Sequence, residues 1–595
     1  MPLSEQFPCL GLSSLGTCFY NPAQPVTVYF SIGDAIAALA LIVAVQQFLK
    51  PIYLFRLRAY GLKIQYLILL VFLGFACAVI ATILPNLPIS HQSFLEYPVV
   101  WELLGSLLIC VGYGATAFIA LVPARICSFN LQTFVRAGGA LLSGADDVDR
   151  ASFVEDLLGQ STNVIRLIKY AGAWRRAEDH GTHIELERLK EIGAKPEFRG
   201  PPPVSAFYIF AHRKELEAGS YAGTFLRIIS DPQFCSVLVR KCPWLTASML
   251  RELSRGWAHE DQADSFVQEI AQQAIINDES IMAKEVSYDG FGTAPVLSSS
   301  LFEDHFILSR YRPLRKMHFG AWEEPSIGYV DRLNGAARMM VQTAIEGEDY
   351  WGAYYLDDVR GIYEKLFMQL SSRRYKGVSS DFLLSLHMGV ERLCEITVAG
   401  LEVLKPERKK GLFASSATEH RSVLVHAVAS IAYESLASIA NQFMGVDDES
   451  WIHAIGVFTE IYPSIGDAPA GMNPLQQQLA VQLIDKLQHN MEGTHPAISR
   501  VLLALIGPYE NRPKITARTG YAILTDAVYR ELQRLPALHA KDPVKFMAFL
   551  PPNITYDVSN NTLIHTYSTG RTDVTKLSEL NIPEVNLADQ SNWQI

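Results

Sequence analysis

The pattern of apolar and polar positions divides the chain into a short membrane part and a long soluble part. A helix needs roughly 20 apolar residues to cross a hydrocarbon core. Three segments in the first 122 positions meet that length, namely Val26–Phe48, Ile64–Leu84 and Val100–Val122. No comparable segment follows them in the sequence. We therefore predict three transmembrane helices and a large domain on one side of the membrane.

Basic residues between the spans predict the orientation of this arrangement. Short loops rich in Lys and Arg stay in the cytoplasm. The loop between the first two spans carries Lys50, Arg56, Arg58 and Lys63, whereas positions 1–25 and 85–99 contain no Lys or Arg. We expect a multi-pass protein with an extracytoplasmic N-terminus and a cytoplasmic carboxyl-terminal domain. Nothing in the sequence indicates an organelle signal, so a bacterial inner membrane is the default location.

Past the membrane, the apolar period is helical almost throughout. It predicts a helix over 154–168, a second over 380–405 that Pro406 stops, and a third, rich in Ala and Ser, over 422–444. Near the carboxyl end the period changes to two residues, and 554–558 with 562–567 predict a hairpin. The predicted fold class is mainly α: three N-terminal transmembrane helices, a large α-helical cytoplasmic domain and a short C-terminal β-hairpin.

Breaker residues suggest where the domains divide. A charged stretch ends in Gly200 and Pro201–Pro203, which are typical of a linker. The predicted parts are an extracytoplasmic leader (1–25), a transmembrane region (26–122), a juxtamembrane helical stalk (123–200), an α-helical cytoplasmic domain (201–550), and a β-hairpin with a polar tail (551–595).

Charge is concentrated in the cytoplasmic part. The chain has 51 Lys plus Arg against 61 Asp plus Glu, but its first 124 residues contain four of each kind, so the net charge of −10 belongs to the rest. Nucleic-acid binding draws on clustered positive charge, and we do not expect it here. The expected partners are the lipid bilayer and either a cytoplasmic protein or further copies of the chain.

Two carboxylates fall within the predicted spans. Asp34 and Glu102 both lie toward the outer leaflet in the predicted topology, and ionisable residues inside a span often mark an ion or proton pathway. The alternative is that both reach water at the interface, Glu102 in particular. Small residues of the third span, among them Gly105, Gly112 and Gly114, predict a face that packs on another span.

Linear catalytic motifs are missing from the sequence. It contains no GxxxxGK[ST], HExxH or GxSxG pattern, and its eight cysteines include no CxxC pair. We predict no metal site and no cofactor. A dispersed acid–base site is conceivable if the helices that carry the following residues pack together: His426, Glu434, His453 and Glu460. The ordinary interpretation of histidines beside apolar helices, including His387, is a hydrogen-bonded core or groove position.

Two further groups of residues are candidates for binding or bonding. A dense basic patch could contact lipid headgroups or a phosphate-bearing ligand, and a surface loop is the alternative; its members are Arg310, Arg312, Arg315 and Lys316. Cys9 and Cys18 fall in the predicted oxidising compartment, where a disulfide could persist.

Three functions remain open from the sequence. The leading hypothesis is a membrane-anchored, non-enzymatic interaction or signalling protein, whose acidic helical domain senses or recruits a partner. The second is an oligomeric, channel-like effector gated by the cytoplasmic domain. The third is an enzyme with a dispersed active site on a helical scaffold, since an active site is defined by geometry and not by spacing.

Overall fold

The structure is a computed structural model. The described residues are 30–48, 50–61, 64–84, 98–127, 130–144, 146–173, 176–178, 212–256, 260–285, 296–317, 326–346, 354–371, 380–403, 414–442, 550, 554–566 and 570–576, with scattered residues within 475–483 and 536–544. The chain folds as two compact units, Met1–Phe266 and Val267–Ile595. The predicted domain boundary at residue 200 lies outside the described residues and stays a prediction.

The first unit is helical in all its regular elements that the structure describes. In chain order they are α1 (Ile32–Phe48), α2 (Pro51–Ala59), α3 (Ile64–Ile83), α4 (Pro98–Leu121), α5 (Leu131–Leu142), α6 (Asp147–Leu158), α7 (Ser161–Lys169), a 3₁₀ turn (Tyr170–Gly172), α8 (Arg213–Ile229), α9 (Pro232–Lys241) and α10 (Pro243–Gly256). The division between the units falls inside the next helix, α11 (Glu260–Ile276).

The prediction of three membrane spans is not confirmed by the helix lengths. Within the described residues, α4 alone is long and apolar enough to cross a membrane, and the second predicted span contributes a shorter apolar stretch, Leu69–Ile83. The first predicted span is shortened because its helix begins at Ile32 and not at Val26. Its 17 residues rise about 26 Å, slightly less than a hydrocarbon core of about 30 Å.

The three apolar helices nevertheless share one core. Phe30, Ala35, Val71, Ala78 and Ile109 form a single buried cluster drawn from all three segments. Phe30, just before α1, contacts Gly105 of α4. Further along both helices, the Tyr113 hydroxyl donates a hydrogen bond to the Ala38 carbonyl. Helices α1 and α4 therefore run parallel.

Glycines allow the close approach of α3 and α4. A Cβ atom added at Gly74 would lie 2.9 Å from Cγ1 of Ile109, and one added at Gly105 would lie 3.1 Å from the carbonyl oxygen of Gly74. The packing role predicted for Gly105 is therefore confirmed. Gly114 differs, since a Cβ there would meet nothing within 4 Å.

Phenylalanine rings form the centre of the first unit beyond the apolar helices. Phe55 of α2 meets Phe134 of α5 at 5.3 Å and Phe153 of α6 at 4.8 Å between ring centroids, both edge to face. Phe225 of α8 and Phe234 of α9 extend the cluster, and all five rings lie among the largest fully buried side chains. Helix α2, between the first two apolar helices, is therefore built into the core of the helices that follow.

The predicted helix over 154–168 is two helices. Helix α6 ends at Leu158, and α7 begins at Ser161 after a turn at Gly159 and Gln160. Leu158, at the end of α6, is 47% exposed, whereas Val164 and Leu167 of α7 are buried. The turn redirects the chain, so the stripes of the two helices do not align.

The second unit is a helical assembly with a small sheet. Its elements are α12 (Met282–Glu285), α13 (Leu297–Phe302), a π-helix (Ile307–Tyr311), α14 (Ile327–Glu346), α15 (Tyr355–Ser371), α16 (Ser380–Val403), α17 (Ala414–Gln442), β1 (Ile554–Asp557), β2 (Thr562–Thr566) and β3 (Thr572–Lys576). The helices predicted over 380–405 and 422–444 are therefore confirmed, with α17 starting earlier than expected.

Helices α14 and α16 pack side by side and run parallel. The pairs Asp331 with Ser385, Asn334 with Gly389, and Ile345 with Gly400 follow the same direction along both helices. A Cβ at Gly400 would lie 2.5 Å from Cδ1 of Ile345, and one at Gly389 would collide with the Asn334 amide. The two glycines set how closely these helices approach.

The carboxyl-terminal hairpin is confirmed and gains a third strand. Strands β1 and β2 pair antiparallel with Tyr556 opposite Leu563, and β3 pairs antiparallel with β2 with Val574 opposite Ile564. The order is β1-β2-β3. Strand β3 lies in the segment predicted to be a polar tail, because Thr572–Lys576 contains a single apolar side chain.

Candidate functional site

The first candidate site is a junction where α2 meets the end of α4 and the helices that follow it. Arg56 of α2 forms a bidentate ion pair with Asp156 of α6: Nε donates to Oδ2 at 2.9 Å and Nη2 to Oδ1 at 2.8 Å. The Asp156 side chain is 3% exposed and that of Arg56 13%. A planar guanidinium that matches both carboxylate oxygens is the strong geometry for such a pair.

The same guanidinium also caps α4. Nη1 of Arg56 donates to the carbonyl of Ala120 at 3.0 Å and to that of Leu121 at 3.1 Å. The last carbonyls of a helix lack intrahelical donors, and a cation there also opposes the negative end of the helix dipole. One side chain therefore joins the end of α4, the middle of α2 and the buried carboxylate of α6.

Additional hydrogen bonds fasten the chain just after α4. The Gln160 side chain accepts from the Ile126 amide at 2.6 Å and donates to the Ala124 carbonyl at 2.5 Å. The Arg125 amide donates to the Tyr60 hydroxyl at 3.0 Å. Side chains of α2, α6 and the residues just after each of them, Tyr60 and Gln160, therefore hold the chain at the end of α4.

Sequence reasoning missed the role of Arg56 and Asp156. The signal is nevertheless present, because Asp156 lies on α6 between buried apolar positions, Phe153 and Leu157. An acidic side chain on an apolar face needs a partner, and Arg56 is the basic residue that follows Phe55 in an otherwise apolar turn of α2.

The two predicted membrane carboxylates have different surroundings. Asp34 is exposed in the first turn of α1, where its carboxylate accepts from the Ser31 amide and hydroxyl, both at 2.8 Å. The Ser31 hydroxyl in turn accepts from the Asp34 amide at 3.2 Å, which completes a capping box. Glu102 is buried within α4 at 5% exposure, which is the reverse of the water-exposed interpretation.

The predicted basic patch is partly used in internal contacts. Arg312 adopts a left-handed backbone (φ 45°) and binds Asp358 of α15 through two hydrogen bonds of 2.8 and 2.7 Å. Arg310 lies over the Phe306 ring. Arg315 and Lys316 are exposed. Burial raises the pKa of Asp358, although Arg312 acts in the opposite direction.

The dispersed acid–base candidates are not brought together within the described residues. His426 is exposed on α17, with its Nδ1 atom 3.5 Å from the Gln478 amide. Glu434 is half-buried on the same helix, while His453 and Glu460 lie outside the described residues. Cys9 and Cys18 lie outside them as well.

A histidine–serine pair occurs elsewhere in the second unit. Nδ1 of His387 lies 2.6 Å from Oγ of Ser435, and the imidazole stacks on Phe367 at 5.7 Å. Exposure is 8% for His387 and 0% for Ser435. Burial lowers the pKa of His387 to about 4. The pair is therefore a neutral hydrogen bond that joins α16 to α17 inside the core, closed to substrates.

A polar groove of about 490 Å³ opens between α14 and α16. The residues that line it include both acidic and basic side chains: Glu285, Glu303, Arg338, Met339, Gln342, Arg392, Glu395 and Ile396. Partial desolvation in the groove, together with the nearby Glu346 and Glu285, raises the pKa of the otherwise exposed Glu303. Glu285 is not available to a ligand, because its oxygens accept from the amides of Val296, Leu297 and Ser298 at 2.8–3.1 Å.

No nucleophile and base lie together in this groove, and among the described residues no group of three or more His, Cys, Asp or Glu side chains has the arrangement of a metal site. No protein-family model, no curated protein and no solved structure matches the chain.

Proposed function

We propose that the protein is a membrane-anchored, non-enzymatic interaction or signalling protein, in which three N-terminal helices span the bilayer and an acidic helical domain recruits a cytoplasmic partner. The observation that carries the proposal is the Arg56 junction. A single buried guanidinium connects the end of the membrane helix α4 to Asp156 of the following domain, so the state of either can bias the other.

Exposed apolar side chains support the membrane part of the proposal. Only 22% of the most apolar window of α4 is buried, whereas the core helix of a soluble protein hides its apolar surface. Large side chains point outward along both α3 and α4: Leu69, Phe72, Leu73, Ile83, Leu103, Leu107, Val111, Phe118 and Leu121 are 47–68% exposed. Together they form a belt that lipid would cover.

The directions of the helices support three crossings. Helices α1 and α4 are parallel, as a first and a third crossing must be. The basic residues on the loop between α1 and α3, and Arg125 and Arg136 after α4, favour the cytoplasm for that side. In this orientation the domain that follows α4 is cytoplasmic and the N-terminus is outside.

A recruiting role is supported by the character of the second unit. Its described histidine–serine pair is closed to solvent, and its groove combines guanidinium and carboxylate groups suited to polar recognition rather than to bond cleavage. Long helices with exposed side chains provide the extended surfaces that protein partners bind.

Gentle extraction followed by native mass spectrometry tests the proposal. The expected result is the chain carrying a second protein in a fixed ratio. Substitution of the surface ion pair Arg255–Glu252, which lies outside the groove, should leave the partner bound. Arg56→Ala should reduce partner retention, because the domain is no longer fixed to α4. Recovery of the bare chain at every detergent concentration would contradict recruitment.

The channel-like alternative retains one supporting observation, the burial of Glu102 inside an apolar helix. Ionisable groups at such positions often serve ion or proton passage. In proteoliposomes, Glu102→Gln would abolish a flux that Asp34→Asn leaves largely intact, since Asp34 is exposed and caps α1. A closed homo-oligomer with measurable conductance would favour this function over recruitment.

A further inference from the structure

Two segments at the junction carry basic residues and no acidic residue. Positions 50–63 and 122–144 contain no Asp or Glu, and their basic members are Lys50, Arg56, Arg58, Lys63, Arg125 and Arg136. The guanidinium of Arg56 is bound to Asp156 and to the last carbonyls of α4. Arg58, Arg125 and Arg136 are exposed, and the inference drawn from them rests on the membrane orientation proposed above.

Three of these arginines are brought to one place by contacts around the end of α2. Arg58 is exposed in the last turn of α2. The amide of Arg125 donates to the Tyr60 hydroxyl at 3.0 Å, which brings the exposed Arg125 to the same turn. The Thr133 hydroxyl donates to the Ala59 carbonyl at 2.9 Å, and the exposed Arg136 follows Thr133 by one turn of α5.

The acidic groups that the structure places beside α2 are engaged elsewhere. Asp156 is held by Arg56. Asp149 lies at the opposite end of α2, next to Lys50 and the backbone of Ile52. The end of α2 that carries Arg58 therefore has a concentrated positive charge without a nearby described carboxylate of α6 to balance it.

Apolar side chains continue directly from this basic cluster. Phe118 and Leu121, in the last turns of α4, are each 68% exposed, and Tyr66 and Leu69, in the first turns of α3, are 52% and 55% exposed. A ligand that satisfies both surfaces has an anionic head and long apolar tails. A free phosphate would use only the arginines.

We propose that Arg58, Arg125 and Arg136 bind the phosphate groups of anionic phospholipids in the cytoplasmic leaflet, with the acyl chains against the cytoplasmic ends of α3 and α4. Guanidinium groups match phosphate oxygens through paired hydrogen bonds. Basic clusters between membrane helices on the cytoplasmic side are suited to such headgroups. The bound lipid would lie beside the Arg56 junction and so stabilise the end of α4 that the junction holds.

Lipid retention in nanodiscs tests this site. The full chain is placed in nanodiscs of phosphatidylcholine with 30% phosphatidylglycerol, and lipids that stay bound after detergent transfer are counted by native mass spectrometry. The expected result is selective retention of phosphatidylglycerol, weakened about fivefold for each arginine replaced by Gln. Arg58→Lys with Arg125→Lys keeps the charge but removes the paired hydrogen bonds, so it should weaken the preference less than the corresponding Gln variant does.

Matched controls separate the site from general charge. Arg213→Gln with Arg251→Gln removes two exposed arginines of the same unit outside the cluster and should leave the preference unchanged. Glycerol 1-phosphate at millimolar concentration should not displace the lipid. Equal retention of both lipids by the unaltered chain, unchanged retention in R58Q/R125Q/R136Q, or displacement by glycerol 1-phosphate would overturn the lipid site.

Extraction with alkaline carbonate distinguishes this failure from failure of the proposed function. A chain that stays in the membrane pellet but shows no lipid preference overturns the lipid site alone. A chain that carbonate releases overturns the membrane anchoring on which the site depends.

Discussion

Arg56 and Asp156, 100 positions apart in the chain, form a bidentate ion pair in which the carboxylate is almost completely buried. Such a pair is weak evidence for stability by itself, because desolvation offsets the attraction. The pair matters because removal of one partner leaves the other buried without its counter-charge. Arg56 additionally holds the end of α4.

Loss of one member of this pair should destabilise the first unit strongly. We expect Arg56→Ala to lower the free energy of unfolding by about 3 kcal/mol, since it leaves the Asp156 carboxylate buried without a counter-charge. The double variant R56A/D156A should lose less than the sum of the single losses. Glu395→Gln, in an exposed ion pair, is the control and should cost under about 1 kcal/mol. Additive losses would show that the pair is not coupled.

Two glycines of the second unit should respond to alanine in opposite directions. Gly389→Ala places a methyl group against the Asn334 amide, which also donates to the Ser385 carbonyl and accepts from the Tyr363 hydroxyl. We expect a loss of about 2 kcal/mol from this overpacking. Gly361→Ala, in α15 where nothing lies within 4 Å, should stabilise by up to about 1 kcal/mol. Thermal unfolding of both variants checks the contrast, and equal shifts would mean that α14 and α16 are not in close contact.

The buried His387 should make stability depend on pH in the acid range. Burial lowers its pKa from 6.5 to about 4. Between these two pH values, the unfolded chain binds a proton at His387 and the folded chain does not. The stabilisation is complete above pH 6.5 and is lost as pH falls toward 4. The loss is on the order of 3 kcal/mol, at 1.36 kcal/mol for each unit of pKa. The unaltered chain should lose its advantage in unfolding free energy over His387→Gln as the pH falls from 6.5 to 4. A difference that does not change with pH would show that His387 is exposed to water.

Glu285 should control the start of α13. Its carboxylate accepts from three successive backbone amides, those of Val296, Leu297 and Ser298, and hydrogen bonds to a charged group contribute about 1.5–3 kcal/mol each. In Glu285→Ala we expect hydrogen exchange at these amides to accelerate at least tenfold. Glu303→Ala, whose side chain is exposed, is the matched control; acceleration in both variants would indicate a general effect of charge.

Sequence periodicity predicted the long elements well and the connections poorly. Helix α16 was predicted nearly to its ends because apolar positions repeat along one face, and the hairpin because Ile554 and Tyr556 alternate with polar residues. The break after Leu158 was missed because its cause is tertiary: Gln160 leaves the helix to bind Ala124 and Ile126, residues brought near only by folding.

The candidate site was less predictable than the fold for the same reason. Arg56 was recognised as a cytoplasmic charge, but its three partners come from α4 and α6. Asp34 was identified as a carboxylate in a span, yet its first partner is Ser31, three residues away, because the helix begins later than the apolar run. Spacing shows which residues share a face and does not show which helices meet.

The measurement that tests the central claim most directly is the accessibility of single cysteines in sealed membranes, in a chain whose eight native cysteines are replaced. Cysteines are introduced at position 92, in the predicted outer loop, and at Ser559, in the turn between β1 and β2. A membrane-impermeant maleimide applied from outside should label position 92 and should reach Ser559→Cys only after the membrane is opened. Labelling of both positions in sealed membranes, or of neither before opening, would contradict three crossings with the carboxyl-terminal domain in the cytoplasm.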